Sequence, residues 1–192
     1  LISCASNYHV LFTDGFTNQI ALPSVAGERD NLTPGLWPAP GLLSDGVTPN
    51  PDNVLPDLPV ATAWPAPFKW GTKAVSDTLA DIGMYYWARD LRPALKDDVP
   101  SWSGKAPNDI AFDPAILDVA WWQHVQFSAI SFGSAGTLDV DNQLATLNAI
   151  SAGTVKWPDL TNPNNPPLPP GNKGAVGIDD LWHATVSARG QY

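Results

Sequence analysis

Few side chains here have the type and spacing that chemistry needs. Three histidines, His9, His124 and His183, fall in three separate stretches. Sheet neighbours could bring two of them together, and with Asp or Glu they could hold zinc. No pair shows ligand spacing such as His-x-x-x-His, and His183 lies in an apolar helical stripe. All three read as structural histidines bonded to backbone. Adjacent acids occur at Asp97-Asp98 and Asp179-Asp180. Side-by-side carboxylates on a loop or first helical turn are solvated or dipole-favoured, not a general acid and base. There is no Gly-x-Ser-x-Gly elbow and no glycine-rich phosphate loop. Cys4 is the single cysteine, so an internal disulfide and a Cys-based zinc site are excluded. It reads either as a small buried thiol or as half of a pairing outside the chain. These residues point away from an enzyme.

Aromatic rings are the other resource. Of nine tryptophans, Trp37, Trp64, Trp70, Trp102 and Trp157 lie in or beside proline-rich connections. Exposed, such rings stack on sugars or anchor a protein interface. Buried, each would staple a connection to the core with roughly 2–3 kcal/mol, and stapling is the favoured reading for most of them. Trp87, Trp121, Trp122 and Trp182 fall on or beside regular elements and read as core.

Four periodic segments must position these groups. Tyr8–Thr13 is a near-continuous apolar run closed by Asp14-Gly15, which reads as a strand covered on both faces, as in a parallel sheet. From about Ser76 to Leu91, Val75, Leu79, Ile82 and Tyr86 repeat at helical spacing. Ser76 is the expected N-cap, Arg89 and Arg92 suit the far end, and Pro93 stops the helix. Val125–Phe132 reads as a second strand, closed by Gly133. A helix capped by Asp141 follows, with Leu144, Leu147 and Ile150 inward and Gly153 as its stop. Ile178–Arg189 is the last helix, with Asp179 and Asp180 in its first turn and Gly190 at its end. Gln191-Tyr192 would begin another strand. This order predicts an α/β doubly wound sheet.

Composition sets the limits. A chain of 192 residues with 44% hydrophobic residues suits one cored domain. Its net charge of −9 argues against nucleic acid or anionic lipid as the main partner. No apolar run approaches the roughly 18 residues of a membrane span. Twenty prolines and fifteen glycines concentrate in connections far longer than the usual few residues. The core segments are about 7–14, 75–92, 122–153 and 177–192; the Pro/Trp-rich insertions are about 15–73, 93–120 and 154–176. The first residue, Leu1, reads as the start of a piece excised from something longer.

Four ordered blocks carry a family resemblance. They are Asn7–Asn18, which holds Thr13-Asp14-Gly15; Ser76–Trp87 with Asp90-Leu91-Arg92-Pro93; Trp122–Val125 leading through Ile130–Gly133 to Gly136-Thr137-Leu138; and Asp179–Ala184 with Ala188–Tyr192. The first resembles the fourth-strand segment of a von Willebrand factor A domain. Together the blocks resemble the PilY-type proteins, tip-associated adhesin and assembly factors of type IV pili. The resemblance implies the C-terminal half of a von Willebrand A-like domain. Its expected partners are the remainder of the parent polypeptide (the first half of that domain and a C-terminal β-propeller), pilins, and a host or abiotic surface. It also implies export through the periplasm to the cell surface, and no enzyme activity. By resemblance Asp14 takes the metal-ligating place after the fourth strand, where the complete domain can hold Mg²⁺ or Mn²⁺. The Asp-x-Ser-x-Ser loop is absent from these residues, so no cofactor is expected in this chain. Two rivals remain: a glycan-binding module using exposed tryptophan, and a metal-dependent hydrolase using Asp14 and histidines.

Overall fold

The computed structural model describes residues 3–13, 26–30, 67–68, 75–92, 94–96, 98–100, 118, 120, 122–132, 135–160 and 175–192. Their elements run β1 (Asn7–Thr13), α1 (Leu79–Trp87), β2 (Val125–Ser131), α2 (Gln143–Ser151) and α3 (Ala175–Ser187). β1 and β2 pair in parallel, from Asn7 opposite Val125 to Thr13 opposite Ser131. A third rung begins on the far side of β2. Arg189 bridges Phe127 in parallel, and the Ala129 N–H donates to the Gln191 carbonyl at 2.9 Å. The architecture is thus mixed α/β around a parallel sheet, as the element order predicts. Asp14, Trp37, Trp64, Trp70, Trp102 and Trp121 lie outside the described residues, as do most of the insertions.

Helix α1 starts later than expected. Its N-cap is Thr78, not Ser76, and a capping box joins Thr78 to Asp81 in both directions. Asp77, at a positive φ of 61°, is turned away to bind another segment. The helix also ends at Trp87, short of Leu91. The Leu91 N–H instead donates to the Gln123 carbonyl at 2.7 Å, so the chain leaves the helix to reach the start of β2. Arg89 lies over the rings of Tyr85 and Tyr86.

Helix α2 is capped at Asn142, without a side-chain bond, rather than at Asp141. Leu147 and Ile150 are buried with Thr146, but Leu144 is 54% exposed. A repeat of three falls short of the helical turn, so a stripe read in threes drifts off the inner face. Gly153 ends the helix as predicted, at φ 75°. Its N–H reaches Ile150 and that of Thr154 reaches Ala149, the bond pair of a Schellman stop.

Helix α3 begins at least three residues before Ile178 and is buried on every side. Asp179 and Asp180 therefore lie in its second turn and not in its first. At its end the left-handed residue is Arg189, at φ 58°, and not Gly190. Gly190 is needed for a different reason: a Cβ there would collide with the Phe127 carbonyl oxygen of β2. Gly83 serves likewise between helices, since its Cβ would come within 2.7 Å of the Ala184 carbonyl oxygen. α1 and α3 pack on each other and on β2. Between them the core holds Trp87, Trp122, Trp182, Met84, Ile178 and Leu181. Trp87 meets Trp122 edge-on at 5.6 Å.

Gly190→Ala should cost about 2–3 kcal/mol, because the collision is with backbone that has no rotamer to give. Thr78→Ala should cost about 1 kcal/mol through loss of the cap. Urea unfolding checks both; a Gly190→Ala variant within about 0.5 kcal/mol of wild type would contradict the third rung.

Candidate interaction surface and buried charge network

β1 is predicted as a strand covered on both faces, and the structure corrects this. Tyr8, Val10 and Phe12 alternate onto one face and are 69%, 48% and 61% exposed. The register puts Ile130 beside Phe12 on that face, and Phe132 stacks on Phe12 at 6.4 Å. Ile130 and Phe132 are exposed as well. The result is a contiguous apolar and aromatic patch on one side of the sheet. On the opposite face, His9, Leu11, Val125 and Phe127 line a groove with Ile82 and Tyr86 of α1, about 370 Å³ in volume. Among the described residues only β2 pairs with β1, so its other edge has no strand beside it among them. A parallel sheet is ordinarily covered on both faces; this strand is exposed on one face and half-covered at Leu11 and Thr13 on the other. Alternate apolar residues at Tyr8, Val10 and Phe12 are the signal for such a face.

The interior is held by carboxylates that grip backbone amides. Asp180 of α3 accepts from the Leu79 and Ala80 N–H groups at the start of α1, at 3.0 and 3.4 Å. Its neighbour Asp179 accepts from the Thr137 N–H and hydroxyl and from the Leu138 N–H. Asp77 takes the Ala26 and Gly27 N–H groups at 2.9 and 2.7 Å. Asp81 takes those of Arg29 and Asp30. Burial pushes the Asp179 and Asp81 carboxyls up, against the pull of these bonds. It pushes Asp180 up to about 7. Asp30 is raised well above the usual carboxylate range by burial, then by a bond to Glu28 and the like charge of Asp81.

Glu28, Asp30 and Asp81 are the one described group of three or more metal-ligating side chains, with oxygens within 4.8 Å. Asp81 already spends its oxygens on four N–H and O–H donors, so the cluster is built around protons. The nearest histidine is His183, whose Nε2 lies 3.7 Å from Oδ2 of Asp30. His9 stacks on Phe127 at 5.6 Å. His183 bonds the Phe68 carbonyl at 2.6 Å and stacks on Trp157 at 4.4 Å. Burial lowers His183 to about 4, so it is neutral.

His124 lies in a second network. Asp118 bonds its Nε2 at 2.8 Å and accepts from the indole of Trp87 at 2.9 Å and the amide of Gln126 at 2.7 Å. Burial alone would raise the Asp118 carboxyl, but the His124, Trp87 and Ala120 bonds hold it below the usual range. Arg189 sits between the rings of Phe68 and Trp87, at 3.7 and 3.8 Å. Its burial lowers the guanidinium to about 9. Neither Asp30 nor Asp118 stands out in the sequence, since each meets its partners through irregular chain.

Trp157, put forward as a surface contact, is 4% exposed, and its indole donates to the Pro67 carbonyl at 2.6 Å. A ring so placed offers nothing to a partner. Trp87, Trp122 and Trp182 are buried as well. Cys4 is exposed, which removes the buried-thiol reading.

This is a mixed α/β chain with a parallel sheet open on one strand and no catalytic constellation among its described residues. Comparison with known proteins gives it a context. Three proteins called Type IV pilus biogenesis factor PilY1, from three strains of Pseudomonas aeruginosa, are 28%, 27% and 26% identical to it over 201 aligned residues. Each match covers 99% of this chain and 14% of the relative's length. The chain is similar to these PilY1 proteins along nearly its whole length, the likeness that its four ordered motifs imply. No family model matches it, and no solved structure does.

The two buried groups make opposite pH contributions. A carboxyl raised from 3.8 to about 7 (Asp180) stabilises fully below 3.8 and loses that contribution as pH rises through about 7. An imidazole lowered from 6.5 to about 4 (His183) stabilises above 6.5 and loses that contribution as pH falls through about 4. Relative to wild type, Asp180→Asn should gain stability as pH rises between those limits, and His183→Gln as pH falls. Each slope approaches about 1.4 kcal/mol per pH unit. Unfolding free energies measured across that range check this; an Asp180→Asn curve parallel to wild type would contradict it.

Proposed function

We propose that this chain serves type IV pilus biogenesis as a non-enzymatic interaction module of a longer PilY-type polypeptide. The observation that carries the reading is the match to pilus biogenesis factors along 99% of the chain. The bare strand gives that role a physical basis. β1 presents an apolar patch, an apolar groove and an edge without a strand partner among the described residues, which is what a further strand with its helices would cover. In this reading the sheet is the C-terminal half of a von Willebrand A-like domain, and β1 is where the rest of the parent polypeptide docks. The parallel order of β1, β2 and the 189–192 rung supports it. Export, a place at the pilus tip, contact with pilins and attachment to host or abiotic surfaces follow from the same reading.

A cation does not fit these residues on their own. Asp14, the metal-ligating position by resemblance, lies outside the described residues. One carboxylate with Thr13 or Thr17 falls short of the oxygen set that Mg²⁺ or Mn²⁺ requires. Every described tryptophan is buried, so the described rings give the glycan reading nothing to stack on.

The test is to place Val10→Lys and Phe12→Lys together in the full-length protein. Both residues are exposed, so the 192-residue chain carrying them should keep its stability within about 0.5 kcal/mol. Sheared surface pili, measured by immunoblot for pilin, should fall several-fold. Normal piliation with the full-length variant present at wild-type level would overturn the proposal.

A further inference from the structure

We infer that the groove between α1 and β1 seats an acidic amphipathic helix of the parent polypeptide, with one of its carboxylates on the guanidinium of Arg89. The inference rests on the docking proposed above and names the chemistry of what docks. α1 carries two apolar stripes. Ala80, Gly83, Met84 and Trp87 are buried, and Gly83 abuts α3 at Ala184. Leu79, Ile82 and Tyr86 form the other stripe and are only half-buried. They line the groove together with Leu11 of β1 and Phe127 of β2. Spaced by three and four, they share one helical face. Arg89 follows at the next step of three, one residue past the C-cap Ala88. The uncovered stripe therefore runs from apolar side chains to a cation.

No charged side chain lines the groove itself. At its end the Arg89 guanidinium lies 4.2 Å from the centre of the Tyr85 ring and 5.4 Å from that of Tyr86, a wall of the groove. Its Nη1 bonds the Tyr85 hydroxyl, and its Nε is buried with no acceptor among the described residues. The Arg29 guanidinium lies over the same Tyr85 ring at 5.0 Å. Among the described residues neither guanidinium lies within ion-pair distance of a carboxylate. Two cations thus gather on one tyrosine without an anion, in a chain with nineteen Asp and Glu against ten Lys and Arg.

That positive corner decides the occupant. A basic segment would meet like charge. A wholly apolar one would cover the guanidinium and leave its charge unpaired, which is costly. An acidic residue brings charge-assisted hydrogen bonds instead. The groove also lies on the sheet face that bears α1, and a strand added in parallel beside β1 needs a crossover, usually a helix laid on a sheet face. The chain spans 14% of the length of its relatives, so a parent of that kind has ample chain to supply such a helix.

The experiment places Arg89→Lys in the full-length protein, which keeps the charge and supplies an amine. A water-soluble carbodiimide then joins that amine to a carboxylate in contact with it, and mass spectrometry of the digest identifies the pair. The expected product links position 89 to an Asp or Glu outside the 192 residues, in a segment with apolar residues at spacings of three and four. Wild type gives a check that needs no substitution: phenylglyoxal should modify Arg89 several-fold more slowly in the full-length protein than in the 192-residue chain. Coupling confined to the 192 residues, within one copy or between two, would overturn the inference. So would coupling to a separate polypeptide, or equal modification of Arg89 in both forms. If Val10→Lys with Phe12→Lys lowers piliation while position 89 couples to nothing, the docking reading survives and this one falls.

Discussion

Helix α3 has no face toward water, yet it carries two adjacent carboxylates in its second turn. A buried acid must find donors or stay protonated, and that requirement organises the molecule. Asp180 finds the first amides of α1, where the orphan N–H groups and the positive end of the helix dipole converge. Asp179 finds the turn at Thr137-Leu138 that leads toward α2. One helix thereby grips the start of α1 and the turn that precedes α2. Glycines admit the contacts: Gly83 lets α1 approach the Ala184 carbonyl, and a side chain at Gly136 would collide with Asp179. The sheet is laid against this assembly through β2 and, on the far side of β2, through the Arg189–Tyr192 rung.

What was legible in the sequence follows from range. Tyr8–Thr13 and Val125–Phe132 read as strands because apolar runs closed by turn residues are local signals. α1 was legible in its apolar stripe but misplaced at its start, since Ser76 and Thr78 are both good caps. The Thr78-x-x-Asp81 spacing of a capping box was the available tie-breaker. Asp179 and Asp180 looked like dipole-favoured residues of a first turn. They are interior residues because the helix extends back to Ala175 and is covered all round, and an all-round cover has no period to read. The segments that hold Asp30 and Asp118 sit in irregular chain, and their contacts are decided by tertiary packing. Trp157 could be a contact or a staple from sequence; its bond to the Pro67 carbonyl decides for the staple.

The interior and β1 differ in kind. Inside, nearly every buried carboxylate oxygen is aimed at a backbone or side-chain donor, and rings close around His183 and Arg189. On β1, large apolar side chains face outward from a strand that pairs, among the described residues, with β2 alone. Edge strands are ordinarily blunted by charge, proline or a bulge, and Asn7–Thr13 carries none of these. Similarity to much longer pilus biogenesis factors supports the proposal that such a surface is an internal boundary of a larger polypeptide.

Amide hydrogen exchange along Asn7–Thr13 tests that account most directly, compared between the 192-residue chain and a full-length PilY-type protein that carries it. The account predicts that the β1 amides not bonded to β2 exchange rapidly in the chain alone. In the longer protein they should slow by on the order of a hundredfold or more. Equal, rapid exchange in both would contradict it, because the strand would then be uncovered in the place where it works.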